Sequence, residues 1–335
     1  MIDSGSTGPP SRILVTGGGG YIGSHMVKVL LEKGWEVVTL DDFSTGHRDA
    51  VPGGTCIEGD LGDESLLDEL FGRKGFEAAM HFAAFSRVEE SVHNPAAYYR
   101  NNVAKTQVLL DALIRHGIRD VVFSSSAAIY GDPSYLPIDE AHVRNPVSPY
   151  GACKWMVERM LGDYGNAYGM RSVSLRYFNA AGADPEAEMG ERHEPETHLI
   201  PNLLQAASGR RQAVPVYGTD FPTADGTCVR DYVHVIDLCE AHLKALEYLR
   251  NGGSPDAFNL GSGRGYSIQE VLETARSVTG LSFKVEWTGH REGDPACLIA
   301  DSVRAREVLG WNPRFGLEDM VSHAWDWERR LAGLA

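Results

Sequence analysis

The sequence is short of cations, poor in cysteine and without a long apolar run, and each shortage counts against a class of protein. Its 335 residues carry 31 Lys and Arg against 46 Asp and Glu, a formal net charge of -15 with a pI near 5.2. Nucleic acid and anionic membrane surfaces are held by clustered Lys and Arg, so neither is expected as a partner. An anionic ligand would need its own locally placed arginines. The five cysteines, Cys56, Cys153, Cys228, Cys239 and Cys297, are odd in number and include no C-x-x-C pair. That points to reduced thiols rather than a disulfide framework or a cysteine zinc site, and no metal is expected. Nothing approaches 18 uninterrupted apolar residues, and "MIDSGSTGPPSR" lacks the apolar centre of a signal peptide. Residues 1–11 therefore read as a disordered leader ahead of a cytoplasmic enzyme or binding protein.

What is present is a globular composition, 43% hydrophobic and 23% charged, in a chain long enough to bury a large core. From Arg12, short β-branched runs ("RILVT", "WEVVTL", "TCIEG", "EAAMHFAA", "DVVFSS", "RSVSLRYF") alternate with helix-length amphipathic stretches. This is the pattern of β-α repeats on a parallel sheet. The expected class is α/β: a doubly wound Rossmann-type domain over 12–180, then a smaller α/β region over 181–335. "AFNLG" is a candidate strand for return to the main sheet, and the cleft between the two regions is the default ligand site.

The first strand runs into "TGGGGYIGS", where Gly17, Gly20 and Gly23 form G-x-x-G-x-x-G at the opening of a helix. Glycines there permit a tight turn and close approach to a pyrophosphate seated on free N–H groups. The second strand ends at Asp41, placed to accept hydrogen bonds from ribose hydroxyls and to repel a 2'-phosphate, so NAD is expected rather than NADP. Asp42 reads as a solvated turn residue. Asp60 suits either an adenine edge or an ordinary loop.

"SPYGACK" puts Tyr150 and Lys154 four apart on one helical face. Neither is a base at its ordinary pKa, but an ammonium beside an oxidised nicotinamide would favour phenolate over phenol. One β-α unit earlier, "VVFSSSAAIYG" places Ser126 at the carboxyl end of a strand, where open α/β sheets bind ligands. Ser124 and Ser125 are read as satisfying backbone groups or touching cofactor, and Cys153 as core.

With "HFAA", "NNV", "RYFNAAGA", "FPTADGTCVRDYVHV", "NLGSG" and "REGDPACLIAD" added, the chain from Arg12 onward resembles the UDP-glucose 4-epimerase family of extended short-chain dehydrogenases/reductases. The resemblance implies a catalytic trio of Ser126, Tyr150 and Lys154, and a redox cycle through a 4-keto sugar with the hydride kept on bound NAD. It implies cofactor contacts from Gly17, Gly20, Tyr21, Ile22, Gly23, Asp41, Asp60, Phe82, Ala83, Asn101, Ser124, Tyr150, Lys154 and Tyr177. Arg230 and Arg291 would clamp the UDP diphosphate, as charge-assisted contacts should. Asn179, Leu199, Tyr217 and Asp294 would contact nucleotide or sugar together with Ser126 and Tyr150, and Leu298 would gate sugar size.

Two departures stand out: Ala128 replaces a common Thr and Ser86 a common Lys, removing a hydroxyl and a cofactor-side cation. Leu298 is intermediate between the Tyr of strict enzymes and the Cys or Ser of permissive ones. The alternatives are a 4-epimerase of UDP-N-acetylhexosamines, UDP-glucuronate or a UDP-pentose, and a non-catalytic NAD sensor. A dehydratase is disfavoured, because Ser126-Ala127-Ala128 carries no carboxylate. The resemblance also implies a homodimer built on the helices around Tyr98 to Arg115 and Trp155 to Tyr168.

Overall fold

The computed structural model describes residues 12–290 and 295–334. The leader assigned to residues 1–11 lies outside them, as do Arg291 and Asp294. The first half supplies β1 (Arg12–Thr16), β2 (Glu36–Asp41), β3 (Thr55–Glu58), β4 (Phe76–His81), β5 (Asp120–Ser126) and β6 (Arg171–Tyr177). Between them lie α1 (Tyr21–Glu32), α2 (Glu64–Gly72), α3 (Val88–His93), α4 (Pro95–Tyr98), α5 (Lys105–Arg115) and α6 (Pro149–Tyr168). From Pro95 the chain stays helical without a gap to Arg115, and within that run Tyr99–Ala104 takes the wider π-helical turn. There the Asn102 amide accepts from Phe85 N at 2.8 Å and donates to Phe85 O at 2.9 Å, tying the turn to the loop after β4. Helix α6 is bounded by local chemistry. Ser148 Oγ accepts from Gly151 N at 3.2 Å, Pro149 needs no N–H partner, and Gly169 closes the helix at φ 70.

The rest of the chain runs β7 (Asn179–Ala181), α7 (Leu199–Ala207), β8 (Val214–Tyr217), β9 (Val229–His234), α8 (Val235–Arg250), β10 (Asp256–Leu260), β11 (Gly265–Ser267), α9 (Ile268–Thr279), β12 (Val285–Thr288), β13 (Cys297–Leu298), α10 (Val303–Leu309) and α11 (Leu317–Ala332). The main sheet is seven-stranded and parallel, ordered β10-β6-β5-β4-β1-β2-β3. The "AFNLG" run is β10, paired with β6 from Asp256↔Val173 to Leu260↔Tyr177. The order reverses beside β1, and the crevice past the strand ends at such a switch is where ligands of these sheets sit. A second sheet sets β9 between β11 and β13, with β7 also on β9, and β12 pairs with β8.

Alternation on β1 explains the layering. Ile13 and Val15 face a core with Met26, Leu246, Phe258 and Trp311, whereas Leu14 faces Leu110, Leu113, Phe123 and Leu161. The second region has its own core around Leu203, Tyr232, Leu272, Met320 and Trp325. Among the described residues no helix is long and apolar enough to cross a membrane.

Candidate active site

The glycine turn has the form its spacing predicts. Gly17 sits at φ +75, and a Cβ on it would lie 2.5 Å from Ala83 N; one on Gly23 would lie 2.1 Å from Gly17 O. Only hydrogen fits between β1, α1 and the chain leaving β4. The N-terminus of α1 has no side-chain cap, so its N–H groups face outward from Gly20. Gly17, Gly20, Asp41, Phe82, Ala83 and Asn101 line one groove. Asp41 accepts from Gly19 N and Phe43 N, both at 2.8 Å; burial raises its pKa against those two bonds. The groove has the shape expected of a dinucleotide cradle, with the Asp41 carboxylate among its lining.

Three cofactor candidates are placed differently from a simple side-chain contact. The Tyr21 hydroxyl donates to Gly182 O at 2.6 Å, leaving only its backbone toward the turn. Tyr177 donates to Ser124 Oγ. Ile22 packs against the core. Asp60 is exposed and accepts from Lys105 Nζ and Gly62 N, each at 2.7 Å. Lys105 itself lines the groove, a cation on the cofactor side that sequence reasoning did not pick out.

Tyr150, Lys154 and Ser126 converge at the carboxyl ends of β5 and β6, where Ser126 is in register with Tyr177. The Ser126 hydroxyl lowers the pKa of Tyr150, but burial is the larger influence and leaves it raised. Lys154 is 4% exposed; its Nζ donates to Ser124 O at 2.7 Å and lies 5.8 Å from the centre of the Tyr150 ring. Burial brings its pKa down to about 8, against the raising influence of Cys153 and Glu158. The expected lowering of the tyrosine by its lysine is therefore not delivered by the chain alone: Lys154 is not among the influences on the Tyr150 pKa, which desolvation of the phenolate dominates. Cys153 is fully buried, as read from the sequence.

Behind the trio lies a polar network that the sequence did not disclose. Glu158, one turn beyond Lys154, takes Arg176 Nε at 2.9 Å and Nη2 at 2.6 Å, and Ser125 Oγ at 2.5 Å. Arg176 Nη1 donates to Tyr130 at 2.9 Å, and Tyr130 to Asn259 Oδ1 at 2.6 Å. The i, i+4, i+8 spacing of Tyr150, Lys154 and Glu158 was the available signal, but the partner stands on β6.

Of the substrate candidates, Asn179, Arg230 and Leu298 occupy the neighbouring strands β7, β9 and β13. Leu298 is in register with Arg230, and Asn179 with Tyr232. Leu298 packs with Ala127 and Phe178 against Ile129, Tyr130 and Ile138, directly past Ser126. Leu199 begins α7 and Tyr217 ends β8. In the "CVRDYVH" run, Asp231 is fully buried and accepts from Ser262 N, Gly263 N and Ala300 N at 2.7, 3.0 and 3.1 Å. It thereby fixes the "NLGSG" turn and β13 around Arg230. In the loop before α7, Glu191, His193, Glu196 and His198 cluster, another group that a cysteine-led metal search passes over.

Comparison with known proteins gives the same direction. Residues 13–261 match the NAD dependent epimerase/dehydratase family. A UDP-glucose 4-epimerase of Halalkalibacterium halodurans is 49% identical over 95% of each chain. The crystal structure of UDP-glucose 4-epimerase from Brucella ovis in complex with NAD superposes with a TM-score of 0.92 at 48% identity, covering 94% of this chain and 97% of that one. The Stenotrophomonas maltophila UDP-glucose-4-epimerase with bound NAD and formylated UDP-arabinopyranose has a TM-score of 0.93 at 35% identity, covering 97% and 100%.

Proposed function

This chain belongs to the NAD dependent epimerase/dehydratase family, and from that premise we propose that it interconverts UDP-glucose and UDP-galactose by inverting sugar C4. The observation that carries the proposal is the buried Lys154 with its Nζ 5.8 Å from the centre of the Tyr150 ring and bonded to Ser124 O, with Ser126 at the end of the same strand, beside the Gly17 cradle. The relatives at 48% and 49% identity are UDP-glucose 4-epimerases.

The groove fits NAD. The Gly17, Gly20 and Gly23 turn, with the backbone of Tyr21 and Ile22, would take the pyrophosphate, and Asp41 the adenosine ribose. Asp60, Phe82, Ala83 and Asn101 would bound the adenine and central part, and Ser124, Tyr150, Lys154 and Tyr177 the nicotinamide end. NAD supplies, when bound, a reversible hydride acceptor and a positive charge beside Tyr150.

The chain's own groups do the rest. Tyr150 takes the proton from the sugar 4-hydroxyl, and Ser126, whose hydroxyl lowers the Tyr150 pKa, carries that proton between substrate oxygen and phenol. Lys154, an ammonium at neutral pH, favours the phenolate and stays oriented by Ser124 O. Arg230 and Arg291 pair with the diphosphate while Asn179, Leu199, Tyr217 and Asp294 hold nucleotide and sugar, so the 4-keto sugar turns on a fixed tether. Leu298 sets how much room its C2 substituent has.

The test is incubation of the purified protein with UDP-galactose and no added cofactor, followed by NMR of the sugar and absorbance at the NADH band. UDP-glucose formed without stoichiometric NADH supports the reading. Tyr150→Phe should lower kcat by at least about 100-fold with NAD still bound; unchanged turnover overturns the assignment. Inactivity on UDP-galactose together with turnover of UDP-glucuronate or a UDP-pentose would move the substrate and keep the site.

We extend the proposal to a cytoplasmic homodimer serving galactose metabolism. In its favour, Tyr99 and Met156, on the helical segments expected to meet, are 38% and 42% exposed, and Val92 on the neighbouring α3 is 57% exposed. A monomer by light scattering at micromolar concentration would remove the dimer.

A further inference from the structure

We propose that Glu191, His193, Glu196 and His198 form a tetrahedral zinc site in the loop between β7 and α7. The inference does not depend on the epimerase reading, and it revises the sequence-based expectation of no metal. One ligand atom from each residue lies within 4.8 Å of all the others. His193 Nδ1 is 3.0 Å from Glu191 Oε1 and 3.8 Å from Glu196 Oε2; His198 Nδ1 is 2.6 Å from the same Glu191 oxygen and 3.2 Å from Glu196 Oε1, the other oxygen of that carboxylate. Four ligands around one zinc at about 2.0–2.1 Å stand roughly 3.3 Å from each other, which lies between the 2.6 and 3.8 Å separations of the Glu191 Oε1, His193, His198 and Glu196 Oε2 atoms.

A second observation points to a cation. Glu196 Oε2 is buried and has no hydrogen-bond partner, although its side chain is only 2% exposed and faces His193. The other oxygen, Oε1, is held by Thr197 N at 2.8 Å and His198 N at 2.9 Å, which orients the carboxylate as an outer shell should. Glu191 is 6% exposed, so two carboxylates are withdrawn from water while His198, at 53%, leaves an entry path. Two carboxylates, two neutral imidazoles and one divalent ion sum to zero charge, the assembly cheapest to bury. Paired imidazoles in a compact four-ligand set select zinc over calcium or magnesium, which take six or more oxygens.

The place gives the ion a purpose. Glu191 O accepts from Trp327 Nε1 on α11 at 3.1 Å, and His193 meets edge-on the ring of Tyr21, whose hydroxyl holds Gly182. Zinc would fasten the loop that joins the first turn of α1 to the start of α7.

The test uses the full-length, tag-free protein, treated with chelator and exchanged into metal-free buffer. It is titrated with zinc chloride by calorimetry and with cobalt chloride by visible absorption. One equivalent of zinc should bind with sub-micromolar Kd and raise Tm, and cobalt should give the strong d–d bands of a four-coordinate ion without thiolate charge-transfer absorption. His193→Ala and His198→Ala should each weaken zinc binding by at least about 100-fold. No stoichiometric uptake by the unaltered protein, a six-coordinate or thiolate cobalt spectrum, or undiminished binding in both variants would each overturn the site, leaving an ion-pair cluster. The titration and spectrum of the unaltered protein decide even if a variant fails to fold.

Discussion

Lys154→Met should make the protein more stable at neutral pH while removing its activity. Burial holds the Lys154 pKa at about 8 against an ordinary 10.5. At 1.36 kcal/mol per unit, that difference is a penalty of about 3 kcal/mol for keeping the ammonium charged in the folded state. Methionine has a similar unbranched stem and no charge to desolvate. It forfeits the hydrogen bond to Ser124 O, worth about 1 kcal/mol. The expected net gain is about 2 kcal/mol below pH 8. The sign of its pH dependence follows from proton counting: between about 8 and 10.5 the unfolded chain holds the lysine proton and the folded chain has lost it, so the unaltered protein gains stability as pH rises and the variant does not. The advantage should shrink through that window and reverse to a deficit of about 1 kcal/mol above it. Denaturant unfolding of both proteins at pH 7 and pH 10.5, each stripped of cofactor so that retained NAD adds no binding stabilisation, reads the difference. A variant less stable at pH 7, or a gain indifferent to pH, would refute the account of Lys154 as a desolvated cation held for chemistry.

Gly17→Ala should cost at least about 1–2 kcal/mol for its positive φ alone and should abolish NAD retention, measured as cofactor released on denaturation, because its Cβ meets the Ala83 backbone. Glu158→Leu should destabilise by about 3–5 kcal/mol, since it strands a guanidinium that is 3% exposed, whereas adding Arg176→Leu should recover most of the loss in a double-mutant cycle; additive costs would refute a coupled pair. The Glu158 carboxylate also raises the Lys154 pKa, so Glu158→Gln should move the alkaline limb of the kcat profile, where the ammonium is lost, to lower pH, and an unmoved limb would separate the two groups. Leu298→Ser should raise kcat/KM for UDP-N-acetylgalactosamine relative to UDP-galactose by about 10-fold or more, since Leu298 packs against Tyr130 just past Ser126; no change in the ratio would put the size gate elsewhere.

The parallel sheet was readable because its strands are continuous apolar runs of β-branched residues, from "ILV" in β1 to "DVVF" in β5, between helices of strong period. The glycine turn was readable because sterics leave no other residue at Gly17 and Gly23. The trio was readable because Tyr150 and Lys154 are close in sequence. What escaped notice depends on contacts between distant elements. Arg176 looks like an interruption of an apolar strand until Glu158 is seen against it, and nothing near Asn102 foretells its two bonds to Phe85. Tyr21 sits in the cofactor motif, yet its hydroxyl reaches Gly182, 161 residues away. The Glu191–His198 cluster lies within eight residues of sequence, but it holds no cysteine, and only the fold of the loop brings its four ligand atoms together.

The return of β10 to the edge of the main sheet has a consequence for synthesis. Strand β6 has its outer hydrogen-bonding edge open until Asp256–Leu260 arrive, and Leu175, Phe258 and α8's Leu246 share one apolar cluster. The cofactor sheet therefore cannot close while the chain is still being made through residue 260: a nascent chain stalled after Tyr177 presents a bare strand edge and an uncovered sheet face, the features that recruit chaperones and seed aggregation. Residues that bind nothing on the NAD side thus decide when the NAD side can fold.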